Sequence, residues 1–218
     1  MKIKQKLFCL ISLVAFSSVL FAQETSKEPL FKDGKGYYSY KSPLKITLPN
    51  DGKVLITYFY QYGCQVCLDG DDYIKQYVAR NSDKVVLERI AVPSDESKIS
   101  MGLNAIFEVL GRPELSDLYL FDSAYKDQLI KNDQEIRKWL VTHHISLEEI
   151  EKVRQSVAYK QKLIENRHVI SLYTPSMIPM AVLNGKYILL KNTLYNDDYT
   201  FAVLDFLVDK LHKEQEKK

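Results

Sequence analysis

Cys64 and Cys67, in the stretch YGCQVCLDGDDYIKQYV (62–78), carry the side chains best suited to chemistry. Two thiols three positions apart, just ahead of an amphipathic segment, allow three readings. They can be a redox pair, half of a metal site, or two structural neighbours. A thiolate is the reactive and metal-binding form of cysteine, and a helix N-terminus favours it through the positive end of the peptide dipoles and through unpaired amides.

The rest of the chain weighs those readings. A structural zinc site needs four ligands, yet there is no second cysteine pair and the four histidines are scattered. His143 and His144 fall near a helix end, where they suit the dipole or pack. DGDD (69–72) lacks the glycine position and closing glutamate of a calcium loop, so Gly70 reads instead as a bend in the helix after the cysteines. A purely structural pair three residues apart would staple almost nothing. No metal and no cofactor is expected.

Compartment sharpens the motif. The basic start MKIKQK, the apolar run Leu7 to Phe21 and Ala22 read as a secretory signal peptide over residues 1–22, cleaved after Ala22. Cys9 lies inside that run as filler. Removal takes three lysines and no acids, turning the formal charge of +2 into −1. A mature chain of mixed, near-neutral charge gives no electrostatic reason to expect nucleic acid or an acidic membrane surface. Its only cysteines are then the two in CQVC. Residues 23–218 suffice for one domain with a real core, or a domain with a large insertion. The lead-in QETSKEPLFKDGKG reads as exposed, and KLHKEQEKK as a solvated, fraying helix end.

The elements that must position the thiols follow from periodicity. KVLITYFY (53–60) is too apolar to alternate and reads as a central buried strand; KVVLERIAV (84–92) is a second, closed by Pro93. Between them Ile74, Tyr77 and Val78 mark one helical face. About 80 residues then read as successive helices. Leu103, Ile106, Phe107 and Leu110 form one stripe; Ile136, Trp139 and Leu140 form another. SLEE (146–149) is a capping box opening a long helix through Ile150, Val153 and Val157. After Pro175 and Pro179, MAVL, Asn184-Gly185 and KYILL read as a hairpin. Phe201, Leu204, Val208 and Leu211 lie on one face of a last helix. Tyr60 and Tyr62 are either core or lining of a groove beside Cys64.

This order, with CQVC directly after TYFYQYG and with YTPSMIPMAVLNGKY far downstream, resembles the bacterial periplasmic thiol:disulfide oxidoreductases of the DsbA type. The resemblance implies an α/β thioredoxin-like fold interrupted at about 95–172 by a helical insertion. It implies that Cys64 is the nucleophile and Cys67 the more buried resolving partner. It maps the family's cis-proline to Pro179, with Ile178 offering backbone to an extended substrate strand. The implied partners are reduced or partly folded exported proteins in the periplasm and a DsbB-type, quinone-linked membrane oxidase. A monomer acting as disulfide donor is expected; a reductase, an isomerase or a redox-inert holdase of the same fold are the other readings. Gln65 and Val66 stand where relatives carry proline and histidine, and Tyr58 where better-known members place a buried glutamate. These three residues tune the pair, and a weaker oxidant is expected.

Overall fold

The computed structural model describes residues 29–93 and 99–217. The signal segment with Cys9 and Ala22, most of the lead-in, and the start of the helical insertion near residue 95 lie outside them.

In chain order the elements are β1 (Lys32–Asp33), β2 (Gly36–Ser39), β3 (Val54–Tyr60), α1 (Gln65–Arg80), β4 (Val85–Ala91), α2 (Ile99–Val109), α3 (Glu114–Tyr125), α4 (Gln128–Lys131), α5 (Asp133–Thr142), α6 (Leu147–Gln155), α7 (Val157–Tyr173), β5 (Met180–Leu183), β6 (Tyr187–Leu190) and α8 (Asp197–Gln215). One sheet takes the order β1-β2-β6-β5-β3-β4. The apolar run of β3 makes it central: β4 lies parallel on one side, with Tyr60 opposite Ala91, and β5 antiparallel on the other, with Phe59 opposite Met180. Both faces of β3 are buried, as such a composition requires. Ile56, Tyr58 and Tyr60 belong to a core shared with Ile74, Leu103, Leu120, Leu204 and Val208. Phe59 belongs to a second core with Ile90, Tyr173, Met180 and Val182. Among the described residues six helices, α2 to α7, stand between β4 and β5. This is a thioredoxin-like α/β fold with an inserted helical block.

Local signals explain several boundaries. Asn184 and Gly185 both adopt positive φ, 47° and 63°, at the centre of a tight turn closed by the Lys186 amide donating to the Leu183 carbonyl at 2.9 Å. Asn184 Oδ1 also accepts from the Leu55 amide at 2.8 Å, fixing the turn against β3. Ser146 and Glu149 form the capping box at the start of α6.

Three expectations require correction. The helix opened by Ser146 does not run through Val157. Ser156 ends α6 and caps α7, its Oγ accepting from the Tyr159 amide at 3.1 Å, and Val157 is 83% exposed. The lead-in is not all exposed: Phe31 is buried against the rings of Tyr199 and Phe206, and β1 and β2 extend the sheet. Nor is the end of α8 wholly solvated, although Lys213, Glu216 and Lys217 are exposed. Lys210 lies over the rings of Tyr37 and Tyr187, and Glu214 accepts from Lys186 at 2.6 Å and from the Tyr187 hydroxyl at 2.7 Å. In the last two cases the partners are distant in sequence, so local polarity gave the wrong impression.

Candidate active site

The end of β3 delivers Gln61, Tyr62 and Gly63 to the start of α1. Gly63 has φ of 79°, and a Cβ there would sit 2.7 Å from the Ile130 side chain, so glycine alone fits. Its amide donates to Ser123 Oγ at 3.0 Å, which ties this turn to α3. Cys64 follows as the N-cap of α1 in extended conformation. Its main-chain oxygen accepts from the amides of Cys67 and Leu68 at 3.0 and 3.1 Å, and its Sγ accepts from the Cys67 amide at 3.2 Å. The two sulfurs are joined in a disulfide, with Cα atoms 5.1 Å apart. Cys64 is half-buried, whereas Cys67 is fully buried. Gln65 and Val66 between them are exposed, Val66 by 49%.

A small cavity of about 160 Å³ lies beside Cys64, lined by Gln61, Tyr62, Gly63, Asp127, Ile130 and Lys131. Gln61 Nε2 donates to the Pro93 carbonyl at 3.0 Å and so links the cysteine turn to the end of β4.

Tyr58 is buried under α1, and its hydroxyl donates to the Cys67 main-chain oxygen at 2.6 Å. Burial, with Asp71 nearby, pushes the Tyr58 pKa well above its ordinary value, so the hydroxyl stays a donor. Gly70 lies inside α1, which runs unbroken from Gln65 to Arg80. A Cβ at residue 70 would lie 2.8 Å from the Tyr58 oxygen, and the glycine makes room for that hydroxyl.

The acidic run after Cys67 also has a different role from simple charge. Asp71 is buried and receives Arg89 of β4 in a bidentate pair, at 2.7 and 2.8 Å. Arg89 also donates to Asp117 of α3, Lys75 bridges both carboxylates at 3.5 and 3.0 Å, and the guanidinium lies 4.9 Å from the Tyr60 ring centre. Burial raises the Asp71 carboxyl while Arg89 and Lys75 pull it back; the bidentate geometry is that of an ion pair. Burial likewise works against the Arg89 charge, but Tyr60, Asp71 and Asp117 hold its pKa above the ordinary value. The cluster pins α1, β4 and α3 together beneath the disulfide.

Tyr60 and Tyr62 are core residues, 0% and 3% exposed, whose hydroxyls meet at Ser116 Oγ, each at 2.8 Å. Only Tyr62 also borders the small cavity. The Ile178–Pro179 peptide bond is cis. Met180 pairs with Phe59, so the same register carries Pro179 opposite Tyr60, four residues before Cys64. Pro179 is buried and Ile178 half-buried against both cores. His143 stacks on Trp139 and closes α5, far from any ligand set; among the described residues no group of three or more His, Cys, Asp or Glu is gathered around a metal position. Sequence reasoning missed Gly63, Ser123, Ile130 and Arg89. A glycine directly before a C-x-x-C was the one local signal.

The arrangement presents an accessible sulfur at a helix N-terminus, disulfide-bonded to a shielded one. That is the geometry of thiol–disulfide exchange, in which an incoming thiolate attacks one sulfur and the other leaves.

No family model matches the chain. An uncharacterized protein of Haemophilus influenzae is 30% identical over all of this chain and 98% of its own length. The thiol:disulfide interchange protein DsbA of Azotobacter vinelandii is 23% identical, covering 94% of this chain and 98% of that one. The Burkholderia cepacia DsbA is 24% identical, over 85% and 86%. Among solved structures, Pseudomonas aeruginosa DsbA superposes with a TM-score of 0.70 at 20% identity, covering 86% of this chain and 97% of that one. The Neisseria meningitidis oxidoreductase NmDsbA1 gives 0.69 at 17%, over 87% and 98%. The superpositions show the shared fold, and the sequence relatives with the Cys64–Cys67 disulfide show the chemistry. The chain belongs to the DsbA-type family of thiol:disulfide oxidoreductases.

Proposed function

We propose that this oxidoreductase is a disulfide donor to reduced or partly folded exported proteins in the periplasm, released there by loss of residues 1–22. Cys64 is the nucleophile and the sulfur that partners join, and Cys67 is the resolving residue. A partner thiolate attacks Cys64 Sγ, the Cys64–Cys67 bond breaks, and Cys67 leaves as a thiolate. A second partner thiolate then attacks the partner's own sulfur in the mixed disulfide and expels Cys64. Two electrons pass from partner to protein, and the partner gains one disulfide.

The observation that carries this assignment is the contrast in burial: Cys64 is reachable and Cys67 fully enclosed. The Cys67 amide aimed at Cys64 Sγ at 3.2 Å supports a thiolate there once the bond opens. Pro179 brings no amide N–H to the start of β5, which supports a role for the Ile178 backbone in pairing with an extended partner. A DsbB-type, quinone-linked membrane oxidase is the proposed acceptor of the electrons, and the protein acts as a monomer.

Anaerobic mixing of oxidised protein with one equivalent of a two-cysteine peptide tests the donor role. The expected result is loss of two peptide thiols per protein, and no loss with Cys64→Ala. Peptide thiols that survive with the wild type contradict donation.

A further inference from the structure

A second, larger cavity of about 550 Å³ opens between α2, α7 and the end of β4. Pro93, Met101, Tyr159, Leu163 and Ile170 give it half-buried, mainly apolar walls. Arg167 also lines it, is exposed, and has no ion-pair partner among the described residues.

This cavity stands at the catalytic end of the sheet. Strands β3 and β4 are parallel and leave together: the Val92 amide donates to the Tyr60 carbonyl at 2.7 Å, and Gln61 Nε2 to the Pro93 carbonyl at 3.0 Å. Gln61 walls the small cavity beside Cys64, and Pro93 walls the large one. One side-chain hydrogen bond therefore joins the two walls. On its other side, Ile170 of α7 and Ile178 pack against the same core, which includes Met180 at the start of β5.

We propose that the large cavity is a docking subsite for the polypeptide partner, taking one large apolar side chain, with an acidic residue beside it that meets Arg167. The proposal rests on Cys64 being the sulfur that the partner joins. The volume falls within the range of pockets that enclose a ligand in apolar walls with few polar groups. A partner in extended conformation advances about 3.3–3.6 Å per residue. A residue three to four positions from the partner's cysteine therefore lies about 10–14 Å from it, beyond the single strand spacing of about 4.8 Å that separates β3 from β4. Arg167 supplies charge complementarity, of the modest size expected of an exposed pair.

The test uses two-cysteine peptides with tryptophan four positions from one cysteine and glutamate next to it. Replacing the tryptophan by serine should slow single-turnover oxidation by about tenfold. Arg167→Glu should slow the glutamate peptide about threefold and speed its lysine counterpart, while oxidation of dithiothreitol stays the same. A cysteine-free version of the peptide should shift the methyl resonances of Leu163 and Ile170, which reads the cavity even if exchange itself fails. Equal rates for all peptides overturn the proposal. So do methyl shifts produced by decanoate but not by the peptide, which would mark a small-amphiphile pocket.

Discussion

The Tyr58 hydroxyl meets the Cys67 carbonyl at 2.6 Å through the space that a side chain at residue 70 would fill. Tyr58 and Gly70 therefore act as one unit under the active-site helix.

Tyr58→Phe removes a buried hydrogen bond and should cost about 1 kcal/mol. Gly70→Ala drives a methyl against the hydroxyl and should cost about 1–3 kcal/mol. In the Tyr58→Phe background the obstruction is gone, and the better helix propensity of alanine should make Gly70→Ala stabilising by about 0.5–1 kcal/mol. Urea unfolding of the four proteins measures this change of sign. Simple addition of the two losses contradicts the coupling.

Arg89 serves the same helix from the sheet side. Arg89→Met leaves the Asp71 carboxylate buried without its bidentate partner, and should destabilise by about 3–5 kcal/mol. Converting Asp71 to leucine in the same protein should recover much of that loss. A double variant as unstable as the single one contradicts the ion-pair reading.

What the sequence disclosed, and what it hid, follows from how far apart the partners lie. The apolar run of β3, the Asn184-Gly185 turn and the Ser146 capping box are local devices, and each stands where its residues indicate. The C-x-x-C at a helix start is local too. The support around it is not: Gly63 answers to Ile130, Tyr58 to Gly70, and Asp71 to Arg89. None of these pairs has a spacing that sequence periodicity reports. Strands β1 and β2 escaped because KD and GYYS carry no apolar run, and β2 exists by pairing with β6. The break at Ser156 was legible as a cap, but the apolar Val157 beyond it suggested continuity.

The inserted block has a pH-sensitive fastening. Trp139 Nε1 donates to Asp122 at 2.7 Å, and Lys126 lies 3.2 Å away. Burial works to raise the Asp122 carboxyl, but Trp139 and Lys126 outweigh it and hold the pKa below its ordinary value. A folded pKa below the unfolded one, about 3.9, gives stability that is present above that value. The contribution is lost as pH falls through the lower folded pKa. Asp122→Asn exchanges a charged acceptor for a neutral one and should cost about 1 kcal/mol at pH 7. The difference between the two proteins should shrink as pH drops below about 4. A gap that persists unchanged in acid assigns the effect to shape rather than charge.

Val66 is exposed next to Cys64 and brings neither a charge nor a donor. Asp71, which proximity alone would count against a thiolate, is paired with Arg89, and the expected effect therefore turns on the donor that residue 66 does not supply. Val66→His should lower the Cys64 pKa by about one unit, worth about 1.4 kcal/mol, and raise the reduction potential by about 30 mV. Thiolate absorbance against pH, with equilibration against glutathione, reads both. A wild-type thiol already ionised in mild acid contradicts the deficit.

The division of labour between the two sulfurs is tested most directly by trapping. Oxidised protein is mixed with excess single-cysteine peptide, quenched in acid, and the mixed disulfide is mapped by mass spectrometry. The expected product carries the peptide on Cys64 and leaves Cys67 as a free thiol. Peptide found on Cys67, with Cys64 free, contradicts the assignment.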